Sequence, residues 1–425
     1  MKHNTARLSG SVCVLLFLAV FHGKAQDTMR TTLPEAEKQF IEKNLSLLAE
    51  KYNIDIVKAA LIQSKLYDNP TFSFNGGLYN PEQKKIIDIS HKTGQYEIGV
   101  QKLIRLAGKR NKEIKLAETN TALSENQFLE LMRTLRFSLR SNFFNAYFLQ
   151  NSIRAYHTQI ISLENLNSAY QDLQTKGVVT LKDALRIKSL LYSLKAEQAS
   201  LQNQLNDLQA ELQLLLQNNQ TYFLAETNAE NEVSRLTQYT LQSLVDTAYA
   251  NRNDLKFSEN NLTFSTQNFA LQKALAVPDL TLGASFDRRS SFVDNAMLFS
   301  VSMDLPFFNR NQGNIKAAKI GIDQSKTVFQ QQKLTVENEV QRAYIKVLNT
   351  EKVLQSIDPD FKNEFEKLLL GITQNFKNRN ISLIEFTDFN ESYKDNILQF
   401  NQLQNERMQA IEALNFSVGK TLFNN

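Results

Sequence analysis

Four short segments of this chain alternate apolar and polar residues with period two. In 71–79, Phe72, Phe74 and Leu78 share one parity and Ser73, Asn75 and Gly77 the other. From Tyr96 onward, Tyr96, Ile98 and Val100 oppose Glu97, Gly99 and Gln101. Leu280, Leu282, Ala284 and Phe286 oppose Thr281, Gly283 and Ser285, and Phe299, Val301, Met303 and Leu305 oppose Ser300, Ser302 and Asp304. Such alternation predicts strands with one apolar face, each of about the length of a tilted membrane-spanning strand. Polar loops, Asn80–Gln95 and Arg288–Asn295, join them into hairpins over 71–103 and 279–305. Pro70 and Pro278 precede each hairpin, where proline ends a helix without removing a ladder donor.

Between the strands the apolar period lengthens. The segment 108–175 carries a stripe from Phe128 through Met132, Leu135, Leu139 and Phe143 to Leu173, averaging about 3.5 residues per step, the repeat of a left-handed coiled coil. Phe137, Phe144, Tyr147 and Phe148 lie off that stripe, so a second face is also buried. At 1.5 Å per residue such a helix reaches on the order of 100 Å. The helices expected at 34–66 and 181–217 are about half as long, and laid end to end they match it. A second set repeats the arithmetic, 238–275 and 383–417 against 312–376, the last bent near Asp358-Pro359-Asp360.

The two sets form an internal tandem repeat. DNPTFSFNGGLY at 68–79 returns in kind as AVPDLTLGASFD at 276–287, Asn145-Ala146-Tyr147 as Arg342-Ala343-Tyr344, and the turn at Gly177 as one at Asn380, offsets of 208, 197 and 203 residues. The chain is accordingly divided into repeats over 26–225 and 226–425, each reading helix, hairpin, long helix, tip turn, helix.

Residues 1–25 read as a secretory signal: Lys2 and Arg7, an apolar run from Val12 to Phe21, then Gly23-Lys24-Ala25. That run is too short to span a bilayer as a helix, which takes roughly 20 residues. Of 48 basic and 44 acidic residues, three basic ones lie in that segment, leaving a nearly balanced chain without the basic face a nucleic-acid partner requires. The single cysteine, Cys13, also lies there, so disulfides, thiolate metal sites and cysteine nucleophiles are excluded from the expected mature chain. Entry into a membrane must be as strands. Four strands cannot close in lipid without unsatisfied edges, so several copies have to contribute. The fold class expected is mainly α with membrane β: a long helical coiled-coil barrel, plus four strands per chain in a trimeric transmembrane barrel.

With its tandem repeat, its proline-led hairpins and its tips TKGVVTLKD (175–183) and KNRNISLIEFTD (377–388), the chain resembles the TolC family of outer-membrane efflux channels. Leu106-Ala107-Gly108-Lys109-Arg110 is similar to the branch serving heavy-metal efflux. The resemblance implies a homotrimer in outer-membrane lipid with a long periplasmic tunnel. It also implies docking to a periplasmic adaptor (membrane fusion) protein and an inner-membrane pump of RND type. It puts the docking tips at Gly177, Val178, Thr180, Leu181, Asn380, Ser382 and Leu383. Gly177 supplies the left-handed conformation of a tight turn, with Asn380 as its expected equivalent. Glu385 and Asp388, three apart and on one helical face, match an acidic pair ringing the entrance in the trimer, where six carboxylates would attract cations and raise one another's pKa. Their plainer reading is a solvated first-turn pair favoured by the helix dipole. Asp183 matches the first tip's gate residue. The tyrosine that bonds to it in the family's best-known form is replaced by Phe376 and the latch arginine by Ile381, with Arg379 nearby as a substitute.

No chemistry competes with this reading. His91 and His157 have no partner at ligand spacing, Asp294 and Asp304 are isolated, and no phosphate loop or Ser-His-Asp order is present. Neither a cofactor nor a resident metal is expected, and no enzymatic activity. The transported solute, a metal ion or another small molecule, would be chosen and energised elsewhere. The alternative from another class is an elongated periplasmic scaffold or adaptor without a pore, its alternating segments folded as soluble sheet.

Overall fold

The computed structural model describes residues 28–219, 221–224, 239–290, 293–358 and 360–422; the signal expected over 1–25, and Pro359 in the expected bend, lie outside them. Along the chain come β1 (Thr28–Thr31), α1 (Leu33–Lys43), α2 (Leu45–Ser64), β2 (Thr71–Gly76), the short pair β3 (Tyr79–Asn80) and β4 (Lys85–Ile86), β5 (Tyr96–Ile104), α3 (Lys109–Thr175) and α4 (Leu181–Leu216). Then follow β6 (Thr221–Leu224), α5 (Leu241–Asn251), α6 (Asn253–Leu275), β7 (Leu280–Arg289), β8 (Asp294–Met303), α7 (Gln312–Gln355), α8 (Phe361–Lys377) and α9 (Leu383–Val418).

The four expected strands form a single antiparallel sheet in the order β2-β5-β7-β8. Its register puts Phe72, Val100, Ala284 and Phe299 opposite one another in a continuous row, and Phe74, Ile98, Phe286 and Met297 in the next. Directly paired residues share a face, so the period-two pattern of each segment adds up to one apolar surface. The other face carries Ser73, Gly99 and Ser285 in one row and Thr71, Gln101, Gly283 and Ser300 in another. It is narrow: a side chain at Gly99 would run into Ser73, and one at Gly283 into Ser300. The last strand begins at Asp294, inside the expected loop Arg288–Asn295, because β7 runs on to Arg289 and tightens the loop.

The helices follow the sheet. α2 packs on α3, α3 on α6 and α6 on α7, so the wall beside the sheet runs α2-α3-α6-α7, the same order as the strands they join. Farther along, α4 takes the place of α2 against α3, and α9 packs between α3 and the pair α7 and α8. The 67-residue α3 is thus backed end to end by two shorter helices, as its length required. Its stripe is buried at Leu139, Phe143, Ala146, Tyr156, Ile160, Leu163 and Leu166, and the off-stripe Phe144 is buried as well.

Three expected helices are each two helices: 312–376 divides into α7 and α8 where a bend is expected, and two others divide where none is. The segment 34–66 breaks at Asn44, which is extended (φ −65°, ψ 118°); its Oδ1 accepts from the Leu47 N–H at 3.1 Å and its Nδ2 donates to the Leu215 carbonyl at 3.0 Å. The segment 238–275 breaks at Arg252 (φ −72°, ψ 122°), whose buried guanidinium reaches Asp254, Glu339 and the Ser417 carbonyl. Neither break interrupts the apolar spacing. Each is imposed by partners distant in sequence. Beside them β1 and β6, unexpected from the sequence, pair in parallel and cover a core of Phe40, Phe143, Phe144, Tyr222, Val336 and Ile411. Across that core Arg140 donates Nε and Nη2 to the two carboxylate oxygens of Glu412 at 2.6 and 2.7 Å, and Nη1 to Glu37 at 2.9 Å. Among the described residues no helix is long and apolar enough to cross a membrane.

Candidate functional site

The two tip turns lie at the end of the helices away from the sheet and share one backbone design. After α3, the Val178 N–H bonds to the Leu173 carbonyl at 2.9 Å and the Gly177 N–H to Gln174 at 3.0 Å. After α8, the Asn380 N–H bonds to Asn375 at 2.9 Å and the Arg379 N–H to Phe376 at 3.0 Å. This double pattern closes a helix through one left-handed residue. That residue is Gly177 (φ 71°) in the first tip and Arg379 (φ 63°) in the second. Asn380, expected in that role, follows it by one. The apolar pattern did not fix the turn to a single residue, and an arginine is an unobvious occupant of left-handed space.

Each turn is followed by a capped helix. The Thr180 hydroxyl accepts from the Asp183 N–H at 3.1 Å and donates to the Asp183 carboxylate at 2.7 Å. Ser382 and Glu385 form a full capping box: the Ser382 hydroxyl accepts from the Glu385 N–H at 3.2 Å, and the Ser382 N–H donates to Glu385 Oε2 at 2.7 Å. The bonds from Ser382, backbone first and hydroxyl second, hold the Glu385 carboxyl below the usual glutamate range. In the single chain its titration therefore moves opposite to the rise expected for a ring of carboxylates. Asp388 lies one turn on, exposed. Val178, Leu181, Asn380 and Ser382 are exposed as well, with Leu383 half-buried against the core beneath.

That core joins the tips. Phe376 and Phe386, both buried, stack at 4.2 Å between ring centroids, and Tyr170 of α3 stacks on the far side of Phe376 at 5.5 Å. Ile160, Leu163, Leu166, Ile187 and Leu191 complete the cluster. Phe376 is thus a structural ring, closed to the role of latch. The nearest phenol is Tyr170, which sequence reasoning absorbed into the coiled-coil stripe. Burial raises its pKa, the Asp183 carboxylate raises it further, and Arg379 opposes both. Asp183 and Arg379 thus act on one phenol through their charges alone, and no ion pair joins the two directly among the described residues.

Above the tips a polar cavity of about 900 Å³ lies between α3, α8 and α9, lined by residues including Asn151, Gln159, Tyr393 and Asn401. Its charged lining residues are Arg30, Arg154, Glu366 and Lys377. Among the described residues no group of three His, Cys, Asp or Glu side chains could hold a metal ion.

The family model described as outer membrane efflux protein matches residues 244–420. The cobalt-zinc-cadmium resistance protein CzcC of Cupriavidus metallidurans is 21% identical over 289 residues, 68% of this chain and 66% of that protein. The outer membrane protein TolC of Escherichia coli is 28% identical over 222 residues, 47% of this chain and 44% of that protein. The matched parts thus span under two thirds of both curated relatives. Among solved structures, CusC superposes with a TM-score of 0.73 at 14% identity, covering 95% of this chain and 96% of that one.

Proposed function

Residues 244–420 match the model of the outer membrane efflux protein family, and we propose that this chain belongs to that family and is the exit duct of a tripartite efflux system. It sits in the outer membrane and passes metal ions or other small molecules delivered by a periplasmic adaptor and an inner-membrane pump of RND type. The duct does no chemistry on its cargo. Similarity to a protein named for cobalt, zinc and cadmium resistance favours metal ions.

One observation carries this reading. The apolar face of the sheet is open: Phe72 is 67% exposed, Phe299 73% and Met297 84%. Its outer strands, β2 and β8, each have a partner on one side only. An apolar sheet with two free edges has no stable place in water. In lipid it is stable once other copies satisfy the edges. Four strands per chain end on antiparallel edges, so further copies can complete a barrel; the family resemblance puts their number at three, which makes twelve strands. The helical wall also calls for neighbouring copies, since its edge helices expose apolar stripes. Leu45, Leu48, Tyr52, Ile56 and Ile62 form an exposed stripe on α2, and Ile320, Val328, Leu334, Ile345 and Leu348 are exposed on α7. A homotrimer in which α7 of one copy meets α2 of the next covers both.

The chain is read as two repeats, 26–225 and 226–425. Supporting this, the breaks at Asn44 and Arg252 are 208 residues apart, and the left-handed tip residues Gly177 and Arg379 are 202 apart. In the trimer the tips form the periplasmic entrance. Glu385 and Asp388 line it, Asp183 sits beside the closed position, and the exposed residues Val178, Leu181, Asn380 and Ser382 meet the adaptor. Planar-bilayer recording of the purified chain tests the proposal. Discrete conductance steps are expected; a chain that stays soluble without detergent and opens no pore would return the reading to a periplasmic scaffold.

A further inference from the structure

We propose that the junction between sheet and helices is a binding belt for anionic phospholipid head groups of the periplasmic leaflet. The proposal rests on the barrel reading above. The antiparallel register aligns Ile104, Leu280 and Met303, so all four strand–helix junctions, 65–70, 105–110, 276–279 and 304–311, lie at one level. At that level large apolar side chains project into open space: Tyr67 is 73% exposed, Phe307 69% and Phe308 94%. They stand just past the end of the sheet, a level at which aromatic rings settle among lipid head groups.

Cations share the level, and the local carboxylates leave some of them unmatched. Arg105 is taken by Asp68 and Glu113, and Lys109 by Asp279. Lys102 donates to the Asp68 carbonyl and Lys112 to the Ala107 carbonyl. Arg110 lies flat over Tyr67, 3.8 Å from the ring centroid, and gives one amino group to the Lys65 carbonyl. No carboxylate pairs with Lys65, Arg110 or Arg310 among the described residues. The remaining acid, Asp304, is exposed and is outnumbered by these three cations. Exposed aromatic rings beside unmatched cations fit a phosphate-bearing, negatively charged head group: the rings enter the acyl boundary and the cations meet the phosphates. A neutral zwitterionic surface offers the rings the same boundary but attracts the cations less. Each lipid contact by such a cation corresponds to on the order of fivefold local enrichment of anionic lipid.

The chain contains no tryptophan, so a single introduced one reports its own surroundings. The full chain carrying Phe308→Trp is reconstituted in phosphatidylcholine vesicles containing a small fraction of brominated phosphatidylglycerol or, separately, brominated phosphatidylcholine. The expected result is at least twofold stronger quenching by the anionic lipid, reduced to equality by Arg310→Gln and retained by Arg310→Lys. Arg310 is exposed and without a side-chain partner, so these changes leave the fold intact. Equal quenching in the parent, or no loss in Arg310→Gln, overturns the proposal. Phe299→Trp, in the middle of the sheet, is the control for the barrel. If it is quenched by lipid brominated deep in the chains while Phe308→Trp shows water-like emission, the belt alone falls. If both are water-like, the barrel reading falls first.

Discussion

Phe376 of α8 lies flat on Phe386 of α9, with ring centroids 4.2 Å apart and planes inclined by 11°. Through Tyr170, stacked on the other face of Phe376, this pair ties the second tip to the first. The tips therefore move as a unit unless the stack parts. Truncating a buried phenylalanine typically costs about 3–5 kcal/mol. Phe376→Ala is accordingly expected to raise hydrogen exchange across 372–390 by more than tenfold while leaving the core around Phe143 protected. Uniform exchange across both regions would deny the stack its local role.

The two left-handed turn residues predict opposite responses. Gly177 has open space where a Cβ would stand, so Gly177→Ala carries only the backbone cost, about 1–2 kcal/mol. Arg379 already bears that cost. Arg379→Gly should relieve part of it, stabilising the tip against urea by up to about 1 kcal/mol. Equal effects of both changes would show that φ at these positions is immaterial.

The capping box allows the entrance charge to be separated from the helix start. Ser382→Ala removes the cap at a cost of about 1 kcal/mol but leaves both carboxylates in place, so cation preference in single-channel recordings should persist. Asp388→Ala leaves the cap intact and should lower that preference, and Glu385→Ala should do both. Unchanged selectivity in the double variant would remove the two acids from the pore.

Stability should fall in acid. Glu37 is pushed up by burial, but the bonds from Arg136 and Arg140 outweigh this and bring it below its ordinary 4.5; Asp254, likewise buried, is brought below 3.8 by Arg252 and Arg133. A carboxylate lowered in the folded state contributes fully above its unfolded pKa, and that contribution is lost as pH falls through the folded value. Urea midpoints should thus be flat from neutral pH to about 4.5 and drop below it, with a shallower drop in Glu37→Gln. An equally steep drop in that variant would assign the acid sensitivity to other groups.

Much of this arrangement was legible in the residues, and for physical reasons. The sheet was, because apolar and polar residues alternate without interruption within each strand, as at Phe72–Phe74, Tyr96–Val100, Leu280–Phe286 and Phe299–Met303. The length of α3 was, because its stripe runs unbroken from Phe128 to Leu173. The breaks at Asn44 and Arg252 were not, since their causes, the Leu215 carbonyl and the Glu339 carboxylate, lie far off in the chain. The pair β1 and β6 was hidden for the same reason: four residues each, with partners 193 positions apart (Thr28 to Thr221). At the tips the caps Thr180 and Ser382 were visible as residue types. The left-handed Arg379 and the stacked Tyr170 were not, because their roles depend on two helices meeting.

The central claim is that β2 of one copy meets β8 of the next. The chain's only cysteine is Cys13, so introduced pairs report without background. Ser73→Cys is combined in turn with Leu298→Cys, Ser300→Cys and Ser302→Cys, spanning the registers open to the joint, and the membrane-extracted protein is oxidised and run without reductant. The account predicts that one of these pairs yields a covalent trimer and no larger ladder. Monomer in every pair, with β2 and β8 free to solvent, would contradict it.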